Sequence, residues 1–287
     1  MTKSLKPTNK NTPGRVYLVG AGPGAVDLIT VRGAKLLAQA DIVFYDALVD
    51  PEMLTLCPQA EKVAVGKRCG KLSSAQQFIN KRLVDAAQKF QTIVRLKGGD
   101  PMLFGRADEE IWALKEMGIT VEVVPGITAA LAGAASIQQS LTLRGISRSV
   151  AFVTLAQASE GTENTISVSP IANPSADTLV YYMGRKDAAK IAKQLIGQNN
   201  NHHGDTPVQI LEAVSTSRER LWTSTLAELA AGKADDWFDS SSQALIMVGE
   251  ALRDQSILKT KDSESPSPEI NDRLQDRQIF TNGRRRA

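Results

Sequence analysis

The chain has 287 residues, 42% of them apolar, and 34 Lys and Arg stand against 31 Asp and Glu for a formal net charge of +3. That length is enough for two α/β domains of ordinary size, and the composition is that of a soluble globular protein. It excludes a membrane span, since runs such as "TLVYYM" fall far short of ~20 apolar residues, and the balanced charge without aromatic–basic interleaving gives no case for nucleic acid.

In chain order, "MTKSLKPTNKNTPG" at 1–14 is polar and lacks the apolar core of a signal peptide, so it reads as a disordered tail on a cytoplasmic protein. "RVYLVG" is a short buried strand, "DLITVRGAKLLAQA" has the apolar spacing of a helix, and "DIVFYD" is a second strand. "AEKVAVG" and "TIVRLKGGD" repeat the strand signal around a helix in "SAQQFINKRLVDAAQK". "ADEEIWALKEMG" is a helix stopped by Gly118, and "ITVEVVPG" is the strand after it. Such alternation predicts a largely parallel sheet covered by helices.

A second series begins near Pro125 and Gly126. "ITAALAGAASIQQ" is a helix of small residues; "SVAFVTLA", "DTLVYYMG", "TPVQILEA" and "QALIMVG" are strands; "DAAKIAKQLIG" and "TLAELAAG" are helices between them. The reading is therefore two α/β domains, 15–125 and 126–253, with a small-molecule site in the cleft between them. Residues 254–287, ending in Arg284, Arg285 and Arg286, form a charged tail expected to be disordered and solvated.

Cys57 and Cys69 have no CxxC or CxxH spacing and read as reduced structural thiols. His202 and His203 sit in "GQNNNHHGD", which reads as an exposed loop, and no metal site is expected.

The turn after the first strand, "VGAGPGA", fits G-x-G-x-x-G/A through Gly20, Gly22 and Ala25, with Asp46 roughly twenty residues on, where a ribose-binding acid would stand. Pro23 argues against a dinucleotide, because it removes one N–H that would cradle a pyrophosphate. By itself the motif leaves a phosphate cradle and a turn shaped for another cofactor both open.

Taken together, "VYLVGAGPGAVDLIT", "ADIVFYDALV", "VGKRCG", "VRLKGGDPMLFGR", "VVPGITAA" and "YYMG" resemble the S-adenosylmethionine-dependent uroporphyrinogen-III C-methyltransferases over roughly residues 15 to 252. The resemblance implies two α/β domains of the tetrapyrrole methylase type with the active site in the cleft between them, the cofactor-binding half being the second. It also implies a homodimer, S-adenosylmethionine as methyl donor, and methylation of uroporphyrinogen III at carbons 2 and 7 to give precorrin-2 for siroheme or cobalamin. A sister methyltransferase acting on a later corrin intermediate, and a non-catalytic tetrapyrrole-binding relative, are the alternatives. Without a second Rossmann-type fingerprint, the chain is expected to lack the dehydrogenase and chelatase module fused to some relatives.

By the same resemblance Pro23, Gly98, Gly99, Asp100, Leu103, Thr128, Ala129 and Met183 contact the cofactor. Asp46 corresponds to the proposed acid–base aspartate, and Lys67 to a lysine needed for activity. A substrate ringed with acetates and propionates calls for cations, and Arg68, Arg106, Arg144 and Arg148 are the candidates because an arginine fork grips a carboxylate through two bonds. Three departures fall in the second half: Leu143 where the family has histidine, "LAQ" ending at Gln157 where it has "TGH", and Val214 at a glycine that lies against the cofactor. A bulkier residue at a close-approach position is expected to weaken cofactor binding or shift the backbone.

Overall fold

A computed structural model describes residues 12–65, 72–155, 175–197 and 202–254. Lys67, Arg68, Cys69, Gln157 and most of both charged tails lie outside the described residues. Gly14 does not: its N–H donates to the Ala87 carbonyl at 2.7 Å, and a Cβ there would stand 1.9 Å from the Phe90 carbonyl oxygen.

The first sheet has five parallel strands, β1 (Arg15–Gly20), β2 (Ile42–Tyr45), β3 (Glu61–Ala64), β4 (Thr92–Lys97) and β5 (Val121–Val124), in the order β3-β2-β4-β1-β5. Helices α1 (Val31–Leu37), α2 (Leu72–Ala87) and α3 (Ala107–Glu116) make the crossovers. Because side chains alternate along a strand, the sheet builds two cores. Val16, Leu18, Ile42, Phe44 and Ile93 pack with Leu83 of α2 and Leu114 of α3, whereas Val19, Val43, Val94 and Leu96 pack with Leu37 of α1. The parity matters later, since Asp46, Arg95 and Lys97 continue the Phe44 and Ile93 series and belong to the α2–α3 face.

α1 begins at Val31, later than the apolar spacing suggests, because the Thr30 side chain caps it by accepting from the Gly33 N–H at 3.1 Å. Between β1 and α1 lies only a three-residue 3-10 turn, Val26–Leu28. No helix therefore starts at the glycine-rich turn to receive a pyrophosphate, and the dinucleotide alternative loses its anchor.

The second sheet also has five strands, β6 (Val150–Thr154), β7 (Thr178–Tyr182), β8 (Pro207–Glu212), β9 (Arg220–Thr225) and β10 (Ala244–Gly249), in the order β6-β7-β10-β8-β9. It is mixed: β6 and β7 are parallel, while every other pairing is antiparallel. Helices α5 (Ala188–Gly197) and α6 (Leu226–Ala230) cover one face, and the small residues of α4 (Ala129–Ser136) let it lie close on the other, over Val180, Leu211 and Met247. No helix among the described residues is long and apolar enough to cross a membrane.

His202 departs from the exposed loop expected of it. It is 2% exposed, with Nε2 at 3.0 Å from the Ala176 carbonyl, and burial lowers its pKa below the ordinary 6.5. In the window between the folded and unfolded values the unfolded chain binds more protons, so stability is full above about pH 6.5 and is lost as the pH falls through the folded pKa. Urea midpoints measured from pH 7.5 to 5 should fall, and His202→Gln should flatten part of that fall; an unchanged slope would show that His202 titrates alike in both states.

Candidate functional site

The carboxyl ends of β1, β2 and β4 and the ends of β7 and β8 open onto one cavity of about 680 Å³, lined by residues from both halves of the chain. That volume lies within the ~300–1,000 Å³ range of small-molecule sites.

Its floor is backbone against backbone. Gly22 and Gly99 exchange hydrogen bonds, Gly22 N–H to the Gly99 carbonyl at 3.2 Å and Gly99 N–H to the Gly22 carbonyl at 2.7 Å, with φ +77° and +69°. A Cβ on Gly126 would stand 2.2 Å from the Gly99 carbonyl oxygen, and one on Gly20 would stand 2.5 Å from the Gly126 Cα. The two glycine motifs thus exist to bring three chain segments together. Asp100 clamps the arrangement: Oδ1 accepts from the Met102 N–H at 2.8 Å and Oδ2 from the Gly126 N–H at 2.8 Å. Its carboxylate is therefore taken up in holding the turn, although the residue lines the cavity with Gly98, Gly99 and Leu103.

One wall comes from the second half. Thr128, Ala129, Tyr182, Met183 and Val214 all line it. The Tyr182 and Thr128 hydroxyls are hydrogen-bonded, the Ala130 N–H donates to the Tyr182 hydroxyl at 3.2 Å, and burial pushes the phenol pKa up, so it stays neutral. Met183 is held at φ +56°, a strained state for a side-chain-bearing residue that the packing around it must hold in place. Val214 is buried and itself avoids positive φ; the strain falls on its neighbours Ala213 (+49°) and Ser215 (+60°). Ser215 repays this locally, because its Oγ accepts from the Ala25 N–H at 3.1 Å and ties the GAGPG turn to the second half.

The facing wall carries charge. Asp46 Oδ1 accepts from Arg95 Nη2 at 2.6 Å, Arg95 Nε donates to Glu110 Oε1 at 3.0 Å, and Lys97 Nζ donates to Glu110 at 3.1 and 3.2 Å. Gln76 Nε2 adds a bond to Glu110 Oε1 at 3.2 Å. Strand parity puts Asp46, Arg95 and Lys97 on the α3 side, where Glu110 is fully buried. Burial works against the Arg95 charge, but Glu110 and Asp46 outweigh it and hold the guanidinium pKa above its ordinary value. Lys97 goes the other way: burial first, and Arg95 second, lower its pKa despite Glu110.

The expected cations divide. Arg106 lines the cavity but is gripped by Glu109 through two bonds, 2.6 and 2.8 Å. Arg144 and Arg148 are exposed and do not line it; Leu143 and Ser147 pair across a tight turn that carries Arg144, and the Arg148 N–H is held by Asp177 at 2.8 Å. Sequence reasoning missed Arg82, Arg95, Lys97, Glu110 and Tyr182.

The family model for tetrapyrrole (corrin/porphyrin) methylases matches residues 15–230. The chain belongs to that family. It is 43% identical over 241 residues to a siroheme synthase of Pseudomonas fluorescens SBW25, covering 84% of this chain and 50% of the relative. The chain thus spans about half the length of the siroheme synthases it matches. A uroporphyrinogen-III C-methyltransferase of Pseudomonas aeruginosa is 42% identical over 247 residues, 84% of this chain and 95% of that one. Among solved structures, the Thermus thermophilus uroporphyrin-III C-methyltransferase complexed with S-adenosyl homocysteine superposes with a TM-score of 0.69 at 38% identity, covering 84% of this chain and 94% of that one. For a tetrapyrrole methylase, the glycine floor makes sense as a place where backbone approaches a ligand: Gly99 has no atom within 4 Å of where its Cβ would stand, so a side chain there would project into open space.

Proposed function

We propose that the chain methylates uroporphyrinogen III at carbons 2 and 7, using S-adenosylmethionine, to give precorrin-2. The observation that carries the reading is a match at 42% identity to nearly the whole length of a uroporphyrinogen-III C-methyltransferase, in a chain whose glycine turns and Asp46 line one cavity. A homodimer in the cytoplasm is part of the same proposal.

The sulfonium of the donor supplies an electrophilic methyl group and leaves as a thioether when the new C–C bond forms. Gly98, Gly99 and Leu103, with Pro23, Thr128, Ala129, Met183 and Val214, bound the space the donor would take, and Asp100 keeps the floor in shape. Alignment and exclusion of water are their contribution. Attack by a pyrrole carbon leaves a cationic ring system that must lose a proton. Asp46, held on Oδ1 by Arg95, presents a carboxylate to stabilise that charge and take up the proton. Lys67 and Arg68 are assigned to the same site by motif alone.

An anaerobic assay with methyl-labelled S-adenosylmethionine and uroporphyrinogen III, with oxidised products separated by mass, tests the reading. A doubly methylated product supports it. Binding of S-adenosylhomocysteine without methyl transfer would redirect it to a later corrin intermediate, and no binding would remove the enzyme assignment.

A further inference from the structure

Among the described cations that line the cavity, Arg95 and Lys97 are neutralised by Asp46 and Glu110, and Arg106 by Glu109. Arg82 is the exception. It lies on α2, lines the same cavity, and has no carboxylate partner among the described residues. Its guanidinium carbon instead lies 5.6 Å from the centre of the Phe78 ring, one helical turn back, and 5.7 Å from that of Phe44 on β2. Phe44 is buried and two residues before Asp46 on the same face of the strand, so the arginine is held beside the charged wall.

Two ring contacts seat the guanidinium without using its N–H donors. The five donors of the fork remain for a ligand, and their planar arrangement matches a carboxylate through two bonds. We propose that Arg82, seated on Phe44 and Phe78, is a carboxylate subsite that grips one acetate or propionate arm of the tetrapyrrole; this rests on the reading that the substrate is a carboxylated tetrapyrrole. The donor also carries a carboxylate, on its amino-acid end, so S-adenosylhomocysteine, which keeps that group, is the control that separates the two ligands. On this proposal Arg82 serves binding of the acceptor, from the Asp46 side of the cavity.

The test compares wild type with Arg82→Gln and Arg82→Lys. Binding of uroporphyrin III, the oxidised form with the same carboxylate arms, is followed by fluorescence, S-adenosylhomocysteine binding by calorimetry, and turnover of uroporphyrinogen III under anaerobic conditions. Loss of one charge-assisted bidentate contact should weaken uroporphyrin III binding and raise the acceptor KM in Arg82→Gln by about tenfold or more. kcat should stay within about twofold, S-adenosylhomocysteine affinity should be unchanged, and Arg82→Lys should recover part of the loss. Equal uroporphyrin III affinity in wild type and Arg82→Gln overturns the subsite, and so does a parallel loss of S-adenosylhomocysteine binding, which would place Arg82 on the carboxylate of that ligand or make it a packing residue. A wild-type protein that binds uroporphyrin III through Arg82 yet transfers no methyl group would overturn the proposed reaction and leave the subsite standing.

Discussion

Glu110→Ala is expected to destabilise the protein by about 3–5 kcal/mol, the usual cost of breaking a buried charge cluster by removing one partner. Glu110 is fully buried and accepts from Arg95, Lys97 and Gln76 at once. Without it, two buried cations share only Asp46, itself partly exposed at the cavity wall. Lys97→Met should cost much less, because Glu110 then still pairs with Arg95. The cost arises from the orphaned buried charge and is separate from the net worth of the cluster against an all-apolar core. Urea unfolding followed by tryptophan fluorescence gives the comparison. A Glu110→Ala variant within about 1 kcal/mol of wild type would mean that water or a rearranged side chain replaces Glu110, and that the cluster is not closed as described.

The same cluster shows what a sequence does and does not reveal. "TIVRLKGGD" reads plainly as a strand, and Arg95 and Lys97, two apart on one face of it, carry a signal that was available: two charges on one side of a buried strand demand a buried counter-charge. Which acid answers it depends on how α3 lies on the sheet, and nothing in the periodicity of "ADEEIWALKEMG" separates Glu110 from Glu109, which is exposed and pairs with Arg106. Arg82 was hidden for a related reason, since a cation on an amphipathic helix looks like part of a solvated face until the cavity is seen beneath it.

Strand direction was hidden too. β7 and β10 are apolar along nearly their whole length and β8 is buried throughout, and such runs carry no record of whether a neighbour runs parallel or antiparallel. β9, "RLWTST", went unrecognised because it is an edge strand with an exposed, charged start. Its place is fixed by pairing with β8 rather than by any pattern of its own. The glycine motifs, by contrast, were informative because they state a local requirement: Gly22 and Gly99 need positive φ, and Gly20 and Gly126 need missing side chains, whatever the rest of the chain does. Val214 marks the limit of that logic. The sequence leads one to expect a shifted backbone or weaker cofactor binding there; the positive φ values fall on the flanking Ala213 and Ser215, and Val214 packs into the core beneath α4.

Asp46→Asn should lower kcat by about 10²–10⁴-fold, the range for loss of a general acid–base group, with little change in S-adenosylhomocysteine affinity. The substitution keeps the shape of the side chain and an oxygen that can still accept from Arg95 Nη2, so the wall should persist. What disappears is the negative charge beside the ring that becomes cationic, and the oxygen able to take a proton from it. A structural role predicts the opposite pattern: stability and ligand affinity would fall together, and turnover would fall only in proportion. Single-turnover methyl transfer at saturating donor separates the two, because it reads the chemical step without product release. If that step runs at the wild-type rate in Asp46→Asn, Asp46 neither bears the charge nor takes the proton, and the base must be sought elsewhere on the cavity wall. Lys97 is then the next group to replace, since it faces the same space with a pKa already lowered by burial.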